Sequence, residues 1–227
     1  MKRDTYLLIE NHMLSCMKDS AHDEEHIYRV LYNAMEIAKH EKDVDYDILI
    51  CACLLHDIGR QEQLKNPKLC HAEVGAEKAT KFLLDKNFSK EFAEKVSHCI
   101  ICHRYRNNNV PVSVEAKILF DADKLDATGA IGIARTLIYK GQVSDPLYTL
   151  DTKGKVSNGE GDVQASFFQE YRFKLEKLYD KFYTEYGREI AKERKKAAVG
   201  YYEYLLSEVS VPYEQGKDEL LRHIMNT

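Results

Sequence analysis

His26, the adjacent pair His56 and Asp57, and Asp123 are the residues whose types and placement carry chemistry in this sequence. Imidazole nitrogens and carboxylate oxygens together form a donor set suited to manganese, iron, cobalt, nickel or zinc, and the oxygens also suit magnesium. A divalent ion held in this way polarises phosphate oxygens and makes a bound water acidic near neutral pH. Hydrolysis on such a site needs no serine or cysteine nucleophile.

The elements that must position these residues read as helices. Ile48 to Leu55 is apolar on every face, so a helix over 45–58 is expected to run through the centre of the domain. Its end then presents His56 and Asp57 from inside the core. A carboxylate leaving water costs several kcal/mol unless a cation, a hydrogen-bond network or a metal meets it. A hydrogen-bonded His–Asp pair would satisfy that demand too, and the other candidates favour the metal. His26 extends the apolar face that Val30, Ala34, Ile37 and Ala38 define, and Asp123 sits in Asp121-Ala-Asp123-Lys124-Leu-Asp126-Ala on a later helix.

Apolar positions recur at helical spacing nearly throughout, and alternating strand-like runs are absent, which predicts an all-α fold. The spacing predicts helices over 3–18, 23–41, 45–58, 70–86, 89–105, 113–139, 164–186, 188–209 and 213–225, with Asp23, Asp45 and Ser113 as N-caps. Gly59 to Leu69 reads as irregular, with Gly59 suited to a left-handed helix cap. Gly141 to Asp162, rich in glycine, reads as a long loop or flap. The expected organisation is a helical core over 1–140, this loop over 141–163, and C-terminal helices over 164–227 packed on the core as one unit.

Composition bounds the function classes. The 227 residues are 44% hydrophobic, enough for a sizeable core. With 33 basic and 37 acidic residues the formal charge is -4, so no global positive field draws the chain to nucleic acid or an anionic membrane. The apolar stretch Tyr6–Ile9 is too short for a signal peptide, and no run reaches transmembrane length, so a cytoplasmic protein with reduced cysteines is expected. Cys99-Ile-Ile-Cys102-His103 has the spacing of covalent haem attachment, but buried thiols on an amphipathic helix explain it more simply. Lys192 to Lys196 reads as a solvated outer face, opposite a stripe of Ile190, Ala197, Ala198, Tyr201 and Leu205. The aromatic series Phe167 to Tyr186 reads as core or as a homodimer contact.

The order H, then HD, then D resembles the HD-domain superfamily of metal-dependent phosphohydrolases. The resemblance runs from about residue 22 to residue 135 and is carried by His26, by Leu55-His56-Asp57-Ile58-Gly59 and by the stretch Asp121 to Arg135. It implies an HD-type helical core with a C-terminal helical extension. The implied activity is hydrolysis of a nucleotide or a related phosphate or pyrophosphate metabolite by a metal-activated water. It also implies two further ligands, His71 and His103, and hence a second ion bridged by Asp57. His98 lies five residues before His103, about 140° around a helix, so both do not face one ion, and His103 is preferred. On this reading His26, His56, Asp57, His71, His103 and Asp123 hold one or two ions, and Asp57 with His56 orients the water. Arg60, Arg104, Lys124 and Arg135 are the candidate phosphate contacts. Arg60 stands where some members carry a glutamate, and Glu62 replaces it only if the loop folds back. A di-iron oxygenase and a non-catalytic nucleotide-binding regulator are the alternatives that the same fold allows.

Overall fold

The structure is a computed structural model that describes residues 1–17, 24–104 and 109–225. Its regular structure is helical: α1 (Arg3–Cys16), α2 (Glu24–Ala38), α3 (Tyr46–Leu55), α4 (Arg60–Lys65), α5 (His71–Asp85), α6 (Lys90–Cys102), α7 (Val114–Leu125), α8 (Gly129–Gln142), α9 (Phe167–Phe173) and α10 (Glu185–Met225). The only β-type pairing among the described residues is an isolated antiparallel bridge from Leu150 to Val156. The all-α expectation holds. The chain divides into two compact units, residues 1–126 with 182–188, and residues 127–181 with 189–227.

In the first unit α3 is the central element, touching α1, α2, α5, α6 and α7. Leu49, Cys51, Ala52, Cys53, Leu54 and Leu55 are wholly buried, as a helix apolar on all sides requires. The Asp45 carboxylate accepts from the amides of Asp47 and Ile48 and starts this helix, and Ser113 caps α7 through the Ala116 amide. Asp23 lies outside the described residues. Cys99 and Cys102 are buried within α6, and burial pushes both thiols up, Cys99 to about 12.

Gly59 is not a left-handed cap. Its φ is -93°, and a short helix, α4, starts directly after it within the stretch expected to be irregular. Close approach is what demands glycine here: a Cβ would sit 2.3 Å from the His71 carbonyl oxygen and 2.6 Å from the Gly75 amide nitrogen. The end of α3 and the start of α5 thus meet backbone to backbone, which brings His56, Asp57 and His71 together.

The single helix expected over 113–139 is two. α7 stops at Leu125, where the Asp126 amide turns back to the Asp123 carbonyl, and α8 restarts at Gly129, whose φ of +62° only glycine adopts without strain. The helix expected over 164–186 is also shorter: α9 ends at Phe173 and a single 3-10 turn follows at Leu175–Lys177, while farther on the amides of Tyr183 and Thr184 bond to the Asp121 carboxylate. The Thr184 hydroxyl donates to the same carboxylate, so Asp121 anchors the segment leading into α10. α10 runs through Pro212, merging the two expected last helices. Proline costs one hydrogen bond, and the carbonyl it orphans belongs to the exposed Glu208, where water can serve it.

The second unit has an aromatic core. Phe167, Phe168 and Tyr171 of α9 are buried, and Tyr171 stacks on Tyr202 with centroids 4.1 Å apart. In this unit α10 buries Ala191, Ala198 and Tyr202; of the expected stripe Ala198 is buried and Ile190 and Leu205 are half-buried, while Ala197 and Tyr201 are exposed. Of the stretch expected to face solvent, Lys192, Glu193 and Lys196 do, while Arg194 and Lys195 are half-buried. After α8 ends at Gln142 the segment 143–163 is irregular but braced by its own carboxylates, with Asp151 accepting from the Lys153 and Lys155 amides and Asp162 from the Thr149 and Ser157 hydroxyls.

The backbone contact at Gly59 is directly testable. Gly59→Ala is expected to destabilise the protein by about 2 kcal/mol or more, since rigid backbone must move to admit the methyl group. Urea unfolding of wild type and variant measures it; a loss below about 0.5 kcal/mol would remove the close approach as the reason for glycine.

Candidate metal centre

Five helix ends converge in the first unit. His26 lies in the first turn of α2, His56 and Asp57 follow the last residue of α3, and His71 opens α5. His103 closes α6, and Asp123 lies in the last turn of α7. The donor atoms form two groups, His26 with His56 and Asp123, and Asp57 with His71 and His103, each spanning less than 4.8 Å. Asp57 joins them. Its Oδ2 is 3.6 Å from His26 Nε2 and 3.7 Å from His56 Nε2, while its Oδ1 is 3.5 Å from His71 Nε2 and 3.6 Å from His103 Nε2. Asp123 Oδ1 lies 3.4 Å from His26 Nε2 and 3.9 Å from His56 Nε2. Of the two histidines weighed on α6, His103 is in the cluster and His98 is exposed beside Cys102.

The ring orientations are fixed from outside the cluster. Carbonyl oxygens only accept, so His56 Nδ1 donates to Cys53 and His103 Nδ1 donates to Ile100, at 2.8 and 2.6 Å. His26 Nδ1 donates to Asp126 Oδ2 at 2.7 Å, and Asp126 is held in turn by Arg29 Nε at 2.7 Å. His71 Nδ1 meets Gln63 Oε1 at 2.6 Å, and Gln63 Nε2 donates to the Leu69 carbonyl, which settles which end of the amide faces the ring. With each Nδ1 carrying its ring's proton, every neutral ring turns a bare Nε2 lone pair inward. The His71 and His103 lone pairs face each other at 3.2 Å.

That inner surface is incomplete as protein alone. Among the described residues His26 Nε2, His56 Nε2 and both oxygens of Asp57 are buried with no hydrogen-bond partner. Orphaned buried atoms of this kind are rare and costly. A divalent cation accepts lone pairs from nitrogen and oxygen alike, so the donor set fits one, and a second fits beside His71 and His103.

The titration behaviour agrees. Burial opposes the charge on His26, but its contacts with Asp123, Asp126 and Asp57 outweigh that and raise it to about 10 with only protein groups around it. Burial lowers His56 to about 4. Burial, followed by the nearby Arg60 guanidinium, takes His71 down to about 2. Asp57 and Asp123 would be raised by burial, yet Arg60 and the His56 ring for the first, and His26 for the second, hold both below the ordinary carboxylate range. Asp57 stays charged with no solvent exposure and Asp123 stays charged half-buried beside it, where a cation is the natural counterpart.

Two of the expected phosphate contacts are at the centre. Arg60 Nε is 2.9 Å from Asp57 Oδ2, and Arg104 Nη1 lies 3.4 Å from His71 Nδ1. The Lys124 ammonium instead lies over the Phe120 ring, 4.3 Å from its centroid, and Arg135 is on α8 in the second unit. Glu62 does not fold back to the cluster: its Oε1 accepts from Lys78 at 2.8 Å. Asp126, Arg29 and Gln63 were given no role from the sequence. Spacing was the available signal, because Asp126 and Arg29 each lie three residues beyond a predicted ligand on the same helical face.

Comparison with known proteins agrees with this geometry. Residues 24–128, which contain all six clustered residues, match the HD domain family. YpgQ of Bacillus subtilis strain 168, an uncharacterized protein, is 33% identical over 181 residues, or 78% of this chain and 79% of YpgQ. The crystal structure of Bacillus subtilis YpgQ in complex with ADP matches with a TM-score of 0.69 at 28% identity, covering 90% of this chain and 97% of that one. A predicted HD superfamily hydrolase from an uncultured Thermotogales bacterium matches with a TM-score of 0.59 at 32% identity, covering 91% and 92%. The convergence of His26, His56, Asp57 and Asp123 inside the matched segment, together with these relatives, makes the chain a member of the HD-domain superfamily.

Proposed function

We propose that this chain is a divalent-metal-dependent phosphohydrolase acting on a nucleotide or a related small phosphate or pyrophosphate metabolite. The observation that carries the reading is the set of buried inward donor atoms that make no hydrogen bond among the described residues, His26 Nε2, His56 Nε2 and the two Asp57 oxygens, with Oδ2 ion-paired to Arg60. His26, His56, Asp57 and Asp123 would hold one ion, and His71 and His103 with Asp57 would hold a second. When bound, such ions supply Lewis acidity, polarising phosphate oxygens and activating a water as the nucleophile. The chain's own part is orientation. Asp57 is wholly buried and braced by Arg60, so its carboxylate offers a fixed acceptor to a water, and His56 beside it is kept neutral by burial. Arg60, 29% exposed, and Arg104 carry the positive charge that meets phosphate oxygens. The ADP held by the YpgQ crystal structure supports a nucleotide as the ligand class.

Manganese-loaded protein is expected to release phosphate or pyrophosphate from members of a panel of nucleoside mono-, di- and triphosphates. His56→Ala and Asp57→Ala are each expected to lower the rate at least about a hundredfold, as loss of a metal-supporting group does. Equal release by wild type and both variants would reject the assignment. Oxygen consumption by iron-loaded protein without phosphate release would replace it with an oxygenase.

Metal uptake should also move a proton. An ion needs the unprotonated Nε2, and His26 is raised to about 10, so at any lower pH the ion displaces that proton. Affinity is therefore expected to fall by about tenfold per unit as pH drops below 10, and more steeply below about 4, where His56 also protonates. Calorimetric titration with manganese at pH 7 in two buffers of different ionisation enthalpy should register about one proton released per ion bound at the His26 position. Uptake with no proton release would contradict the ligand role of His26.

A further inference from the structure

The two donor groups are unlike in charge. The first has a carboxylate of its own, Asp123, and its His26 ring is backed by a second carboxylate, Asp126, at 2.7 Å. A histidine that donates to a carboxylate is a more basic ligand than one that donates to an amide. In the second group Asp57 is the only carboxylate, and it is shared. Arg60 answers part of its charge from the Oδ2 side, at 2.9 Å, and its guanidinium is also close enough to His71 to disfavour positive charge there. His71 is backed by the neutral amide of Gln63, with the Arg104 guanidinium 3.4 Å from the same ring nitrogen. A divalent cation at the second position would therefore share one half-neutralised carboxylate and sit among two guanidinium groups.

From this asymmetry, and resting on the metal-site reading above, we infer that the two positions fill unequally. The His26, His56 and Asp123 position holds its ion at rest, whereas the His71 and His103 position takes a divalent cation only together with a phosphate anion. The anion supplies the charge that the second position lacks. It neutralises Arg60 and Arg104 and adds oxygen donors to the two imidazoles. Coupling of this kind is reciprocal, so the second ion must strengthen phosphate binding by the same factor that phosphate strengthens binding of the ion. Arg104 then sets the order of loading, and Asp126 is a positioning residue for His26.

Manganese binding to the full chain, followed by calorimetry and electron paramagnetic resonance with and without inorganic phosphate, tests this. Without phosphate the wild type is expected to take up about one ion per chain with an isolated-ion spectrum; with phosphate it should take up about two that are spin-coupled through Asp57. Arg104→Gln, a change at a partly exposed residue, should raise affinity for the second ion in the absence of phosphate by at least about tenfold. Asp126→Asn should weaken the first ion by about 10- to 100-fold and leave the phosphate dependence of the second in place, with circular dichroism checking that the fold survives. Two ions bound equally well without phosphate would overturn the inference while leaving the metal site intact, as would an Arg104→Gln protein whose second ion still requires phosphate to the same degree. Absence of any bound ion in both conditions would overturn the metal-site reading itself and this inference with it.

Discussion

The rest of the first unit depends on one desolvated carboxylate. Asp57 has no solvent exposure, lies just past a helix that is apolar from Ile48 to Leu55, and presents two oxygens in different directions. A charge in such a place costs several kcal/mol unless it is met from all sides. One oxygen meets His26, His56 and Arg60, and the other meets His71 and His103. Each of these groups comes from a different helix or helix end, so satisfying Asp57 amounts to fixing where α2, α4, α5 and α6 meet α3.

Asp121, Asp123 and Asp126 show how one helix serves several demands at once. At 100° per residue, Asp123 and Asp126 share a face of α7 and Asp121 points nearly opposite. Asp123 turns to the histidine cluster, and Asp126 reaches the far side of the His26 ring. Asp121 leaves the cluster altogether and holds the amides of Tyr183 and Thr184. Burial tends to raise its carboxyl while these donors oppose that, a structural role that type and spacing alone do not separate from a ligand role.

What the sequence made legible was whatever depends on local pattern. The apolar run Ile48 to Leu55 announced a buried helix, and the position of His56-Asp57 at its end announced a buried polar pair. The grouping of His26 and Asp123 with that pair followed from helix faces and donor types, and that of His71 and His103 with Asp57 from the resemblance. Tertiary contacts defeated the rest. The break at 126–128 arises where the Asp126 amide turns back to the Asp123 carbonyl, a partner that no helical periodicity reveals. Gly59 looked like a conformational glycine and is instead a packing glycine, a distinction that only the position of the α5 backbone makes.

The helix ends also explain why Asp126 and Gln63 exist. A ring that must turn Nε2 inward has to donate its Nδ1 proton to something behind it. The last turn of a helix leaves backbone carbonyls unpaired, so His56 and His103, at the C-terminal ends of α3 and α6, use the carbonyl three residues earlier. The first turn leaves only unpaired N–H groups, which cannot accept. His26 and His71 stand in the first turns of α2 and α5, so their acceptors have to come from side chains elsewhere, Asp126 from the end of α7 and Gln63 from α4. The polarity of the helix carrying each histidine thereby decides whether its orientation is built into the backbone or depends on a second residue, and only the second kind can be tuned by mutation without moving a helix.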